Sequence, residues 1–198
     1  MLHSNFVIVG TLIGAAGAVA YLIETVKGNV KPNRVSFLMW SIAPMIAFFA
    51  QINQGVGLEA LMTFSTGFLP FTVFIASFVN KRSEWKLTWF DVMCGVLSLV
   101  GLAFWMITKV GNVAIFFSIV ADGFAAVPTM VKAFKYPDTE MAWPWIATVF
   151  GIILTLLTLS TFTFANCGFI LYILINNTLI FSLVQFRLGE KLRPKTKL

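Results

Sequence analysis

Seven apolar blocks, each close to the length needed to cross hydrocarbon, leave this chain little choice of fold. They cover residues 6–26, 35–52, 58–79, 89–107, 113–133, 143–160 and 166–186. A membrane-spanning helix needs about 20 mostly apolar residues, and a helix is favoured there because it satisfies its backbone hydrogen bonds internally. The connectors are short and carry Gly, Pro, Asn or charge, as in KGNVKPNR, NQGVG and KYPDTE, residues that punctuate helices. Only 11% of the 198 residues are charged, against roughly 25% in soluble domains. The expected fold class is an all-α membrane protein with seven transmembrane helices and no soluble domain between them.

The formal net charge of +6 raises the question of a nucleic-acid partner, and its placement answers it. Lys27, Lys31, Arg34, Lys81, Arg82, Lys86, Lys132, Lys135, Arg187, Lys191, Arg193, Lys195 and Lys197 fall on connectors that seven spans place on one side, and Lys109 alone falls on the other. Basic residues accumulate on the cytoplasmic side of membrane proteins. The charge therefore reads as an orientation signal, with the N-terminus outside and the C-terminus cytoplasmic, and no nucleic acid is expected. The segment MLHSNF lacks a positive n-region and the first block exceeds a signal-peptide core, so it is read as a retained span. Cys94 and Cys167 sit inside blocks, where a thiol packs as a small apolar group. Trp85, Trp89, Trp143 and Trp145 near block ends resemble an aromatic belt.

Self-similarity adds internal organisation. A shift of 105 positions aligns VKGNVKPNRVSFLMW with VKAFKYPDTEMAWPW, matching Val26, Lys27, Pro32 and Trp40 to Val131, Lys132, Pro137 and Trp145. All four fall at the junction between the first and second helix of a three-helix unit. The chain then divides into a first repeat (1–80), a linker helix (81–110) and a second repeat with a basic cytoplasmic tail (111–198). An odd linker makes the repeats parallel, a known carrier architecture. With VPTMVK and YPDTE in the second unit and KPNRVSFLMW in the first, the chain resembles the PQ-loop superfamily, which contains the SWEET sugar facilitators. It looks closest to a bacterial branch, which implies the inner membrane. The naming proline-glutamine pair is replaced by Pro128-Thr129 in one unit and by Leu22-Ile23 or a neighbouring pair in the other.

Two helical faces carry the candidate chemistry. Gly10, Gly14, Gly17, Tyr21 and Glu24 share one face of the first helix, and Ser118, Asp122, Ala125, Thr129 and Lys132 share the corresponding face of the fifth. Asp122 has nine residues of its block before it and eleven after. A charge at that depth costs roughly 2.5–3.5 kcal/mol on insertion scales, and such residues face a cavity or a partner. Asp122 is thus a substrate or proton site, or else a structural carboxyl bonded to Asn176 or Asn177. Gly17, opposite it under the repeat alignment, is expected to leave room for water or ligand. Pro128 removes a helical hydrogen bond one turn on and is read as a hinge. Pro44 is a second hinge candidate and, with Pro70, a candidate static kink. Gly10 and Gly14 form GxxxG, read as close helix packing. Lys31 and Arg34 are read as topogenic. The resemblance implies a site lined by an asparagine of the seventh helix and a tryptophan of the sixth, here Asn177 or Asn176 with Trp145.

The candidate substrate-binding residues are therefore Asp122, Asn176, Asn177, Trp145, Tyr21 and Thr129. No cofactor and no metal site are expected. With one histidine, His3, no Cys/His cluster and a single midplane Asp, an enzyme is not expected either. Residues 166–186 hold no lysine for a retinal Schiff base. The expected function is a carrier of a small solute through a central cavity between the repeats. A proton is a second candidate ligand, lipid the surrounding partner, and a homo-oligomer a candidate assembly. The alternative is a non-transporting receptor, assembly or scaffold protein, since KDEL receptors share the PQ-loop fold and fold does not fix function.

Overall fold

A computed structural model describes residues 2–108 and 110–192. Lys109, Arg193, Lys195 and Lys197, used above to orient the chain, lie outside the described residues. The described chain is helical, without a strand. Its helices are α1 (Phe6–Lys27), α2 (Arg34–Asn53), α3 (Ala60–Ala76), α4 (Trp89–Thr108), α5 (Gly111–Lys135), α6 (Trp143–Leu156), α7 (Phe164–Gln185) and a short α8 (Leu188–Leu192). Four of them, α1, α2, α5 and α7, are long and apolar enough to cross a membrane. The helix α3, residues Trp89–Val100 of α4, and α6 are shorter apolar helices. The set fits an integral, multi-pass membrane protein.

Local chemistry fixes the helix ends. Gly28, at φ 86°, takes the left-handed turn that ends α1, and its N–H returns to the Glu24 and Thr25 carbonyls. Asn33 starts α2 by accepting from the Val35 and Ser36 N–H groups at 3.1 and 3.3 Å, satisfying donors that a helix start leaves orphaned. The Thr163 hydroxyl caps α7 at Asn166 N. Pro144 falls in the first turn of α6, where its missing N–H removes no helical bond.

Packing pairs α1 with α6 and α2 with α5; α3 lies on α1 and α2, α7 on α5 and α6, and α4 on α5. Where α1 crosses α6, a Cβ on Gly10 would strike the Gly151 carbonyl and one on Gly151 the Gly10 carbonyl. The basic connectors gather at one end of this bundle. There Lys31 N donates to the Thr139 carbonyl at 3.1 Å, Asn80 Nδ2 to the Val26 carbonyl at 2.9 Å, and Arg34 Nη2 to the Ser77 carbonyl at 2.8 Å. Outside the spans, Arg187 is paired with Glu190 and Asp138, and these carboxylates raise its guanidinium further above its ordinary range.

Asn33 also donates to Asp91 Oδ1 at 2.8 Å, joining the start of α2 to that of α4. Asn33→Ala removes a cap and leaves one buried carboxylate oxygen without its donor. It is expected to destabilise the protein by about 1–3 kcal/mol, read as a lower melting temperature in detergent. Ser36→Ala, which keeps that cap, should lose less.

Candidate functional site

Five helices converge with α5 around a cavity of about 90 Å³, space for several waters. From α1 come Gly14, Ala18 and Tyr21, from α2 Phe37 and Trp40, and from α6 Trp145 and Thr148. The α3 wall includes Ser65, Thr66 and Pro70, and the α7 wall Ile173, Asn176 and Asn177. Asp122 is the contribution of α5. The free space opens beside Gly14 and Ala18. It does not open beside Gly17, where a Cβ would meet Ala147 and Pro144 at 2.8 and 2.9 Å. That corrects the expectation of room at Gly17: the glycine admits α6, and no ligand.

Asp122 is fully buried. Tyr172 donates its hydroxyl to Oδ2 at 2.7 Å, and Oδ1 has no hydrogen-bond partner. The Trp40 indole lies within electrostatic range of the same carboxylate, yet its Nε1 closes no hydrogen bond of ordinary geometry. Trp145 Nε1 and Asn176 Oδ1 are likewise buried without partners, whereas Asn177 donates to the Ile173 carbonyl of its own helix at 2.9 Å. Buried polar groups are normally bonded. Four orphaned atoms on one cavity, two donors and two acceptors, are what a site for a polar molecule looks like.

Aromatic rings form one end of this space. Trp40 and Trp145 meet edge to face at 5.7 Å between centroids, Tyr21 stacks on Phe37 at 5.3 Å, and Phe37 touches Trp40 at 5.3 Å. Beyond Tyr21 lies a buried ionic group at the basic end. Lys132 pairs with Glu140 at 2.5 Å with both side chains excluded from solvent, Tyr21 donates to Glu140 Oε2 at 2.8 Å, and Lys132 donates to the Lys31 carbonyl. The Trp85 ring covers the ammonium at 5.2 Å.

Of the six residues singled out in the sequence, Asp122, Asn176, Asn177, Trp145 and Tyr21 share this cavity. Thr129 does not: it is buried and donates to the Ser36 hydroxyl at 2.9 Å, tying α5 to α2. Trp145 is a cavity wall, 8% exposed, and not a belt residue, while Trp89 is 80% exposed. The partner of Asp122 is Tyr172, not Asn176 or Asn177. Tyr172 stands four residues before Asn176, one turn away on the same face of α7, a signal the apolar run ILYILINN hides. Pro128 and Pro44 are both buried within unbroken helices, away from the cavity wall, whereas Pro70 is part of it. Among the described residues no cluster of His, Cys, Asp or Glu could hold a metal, and both cysteines are free.

The chain matches no protein-family model, no curated protein and no solved structure.

Proposed function

We propose that this protein is a carrier for a small solute, which binds at Asp122 in a cavity between two parallel three-helix repeats. The observation that carries the reading is the Asp122 carboxylate, buried at the middle of α5 on an internal cavity with one oxygen unbonded. Intramembrane carboxylates are retained at a cost of several kcal/mol where they serve a pathway, and carrier sites of repeat architectures lie near the midplane between the repeats.

Helix pairing supports the 3+1+3 reading. Exchanging α1, α2 and α3 for α5, α6 and α7 turns the α1–α6 contact into α5–α2, α2–α3 into α6–α7, and α1–α3 into α5–α7, and all these contacts are present. The helix α4 lies outside that exchange, as a linker would. The matched Trp40 and Trp145 meet on the cavity, the position expected of equivalent residues on either side of a two-fold axis. Seven spans, a PQ-loop or SWEET-like kinship, an inner-membrane location and a cytoplasmic basic end complete the proposal. The kinship rests on the quoted sequence motifs and the orientation on the gathered lysines and arginines.

Purified protein in proteoliposomes, screened with labelled solutes, tests it. At least one solute is expected to enter faster than into empty vesicles, and Asp122→Asn should abolish most of that flux while its melting temperature stays close to that of the parent. Flux equal to empty vesicles across the screen, or full flux in the variant, removes the carrier reading. A ligand that binds without moving would favour a receptor.

A further inference from the structure

We propose that the occupant of the Asp122 cavity is a small organic cation of the ammonium class. The inference rests on the solute-site reading above and goes beyond it by fixing the charge of the ligand. Among the described residues lining the cavity, none is Lys, Arg or His. Asp122 therefore has no counter-charge on the cavity wall: the one hydrogen bond of ordinary geometry to its carboxylate comes from the neutral Tyr172 hydroxyl, and the Trp40 indole beside it is neutral as well.

A carboxylate buried without a cation is unfavourable, and an incoming cation offsets that deficit where a neutral sugar or an anion does not. Asn176 Oδ1, also unpartnered, adds a second acceptor for N–H or polarised C–H groups. The wall also carries the aromatic group Tyr21, Phe37, Trp40 and Trp145, beside the neutral hydroxyls of Ser65, Thr66 and Thr148. Ring faces attract ammonium groups, most strongly when water is excluded, and cages of several rings are the usual receptor for them. Acceptors and rings on one cavity are the two elements of an ammonium site.

The orphaned indole N–H groups of Trp40 and Trp145 are neutral donors, suited to a neutral hydroxyl on the ligand. An amino-acid carboxylate is disfavoured, because it would need a cationic partner the wall does not supply. The cationic group at the basic end does not compete, since Lys132 is already paired with Glu140.

The test is calorimetric titration of the purified full-length protein in detergent, at constant ionic strength, with choline and ethanolamine. Dimethylbutanol, the uncharged carbon isostere of choline, is the reference, and glucose and lactate are the neutral and anionic controls. Saturable binding of an amine is expected, with dimethylbutanol weaker than choline by about tenfold or more, the scale of a desolvated cation–π contact plus one ion pair. Asp122→Asn should bring choline and its isostere to within a few-fold of each other. Equal affinity of the pair for the parent protein, binding of glucose or lactate in place of amines, or no saturable amine binding would overturn the proposal, and none of these needs the variant to fold. Amine binding without flux would keep the proposal while removing the carrier reading, and flux of a neutral solute without amine binding would do the reverse.

Discussion

Glu140→Ala is expected to lower the stability of the folded protein by about 3–5 kcal/mol, the loss seen when one member of a buried ion pair is removed. In a chain of 198 residues that corresponds to a fall of about 6–20 °C in melting temperature. The physical reason is the burial of its partner. Lys132 is 1% exposed, its ammonium is held by Glu140 and by the Lys31 carbonyl, and the Trp85 ring covers it. With the carboxylate gone, that charge keeps one neutral acceptor and a ring face. Tyr21 also loses the acceptor of its hydroxyl, so the loss reaches the cavity wall.

The double variant Lys132→Met with Glu140→Gln separates the charge from the packing. It contains no unpaired charge, and the glutamine oxygen can still accept from Tyr21. It should melt well above Glu140→Ala, since replacing both members of a buried pair is often close to neutral. A Glu140→Ala protein that melts with the parent would mean that Lys132 reaches water in solution and that this end of the bundle is open.

That ionic group also marks where sequence reading stops. The sequence counts Lys132 among thirteen topogenic residues, because a lysine at the end of an apolar run reads the same whether it faces water or a buried glutamate. Its place in the last turn of α5 suits the helix dipole in either case. The partner, Glu140, lies eight residues on, past the turn Pro137–Thr139, and only the folded loop brings the two together.

The helices themselves were legible, because mean apolarity over 20 residues is a long-range signal. The block 35–52 became Arg34–Asn53 and the block 113–133 became Gly111–Lys135. The block 143–160 overran, since α6 ends at Leu156. Thr158 turns its hydroxyl back onto the Thr155 carbonyl at 2.6 Å, a local bond that hydropathy does not register.

The site was legible in its polar residues and, through the repeat alignment and the family resemblance, in Tyr21 and Trp145, but not in the rest of its aromatic wall. Asp122 stands out because the only other ionisable residue in its block is Lys132, at the very end, and Asn176 and Asn177 because they are polar in an apolar run. Trp40, Phe37 and Tyr172 do not stand out. In a helix apolar on every face, periodicity cannot say which aromatic ring faces a cavity and which faces lipid, and Phe68, at 50% exposure, looks the same in sequence as Phe37, at 5%.

The same blindness applies to the small residues, and there it yields a second large effect. Gly10→Val and Gly151→Val are each expected to destabilise by about 3 kcal/mol, the upper part of the range for overpacking a tight interface. Either Cβ would land on the backbone carbonyl of the opposite glycine, and a backbone atom cannot rotate aside as a side chain can. The helices α1 and α6 would have to separate along a contact that joins the proposed repeats. Gly14, the other member of the GxxxG pair, is the control. A Cβ there would meet Met62 Cε at 3.6 Å and Thr148 Cα at 3.7 Å, ordinary contacts, so Gly14→Ala should stay within about 1 kcal/mol of the parent protein. Because Gly14 lies on the cavity wall, that variant should change ligand affinity more than melting temperature, the opposite of the Gly10 variants. Melting curves for the three proteins decide the matter: a Gly10→Val protein as stable as Gly14→Ala would show that the two helices do not meet at Gly151.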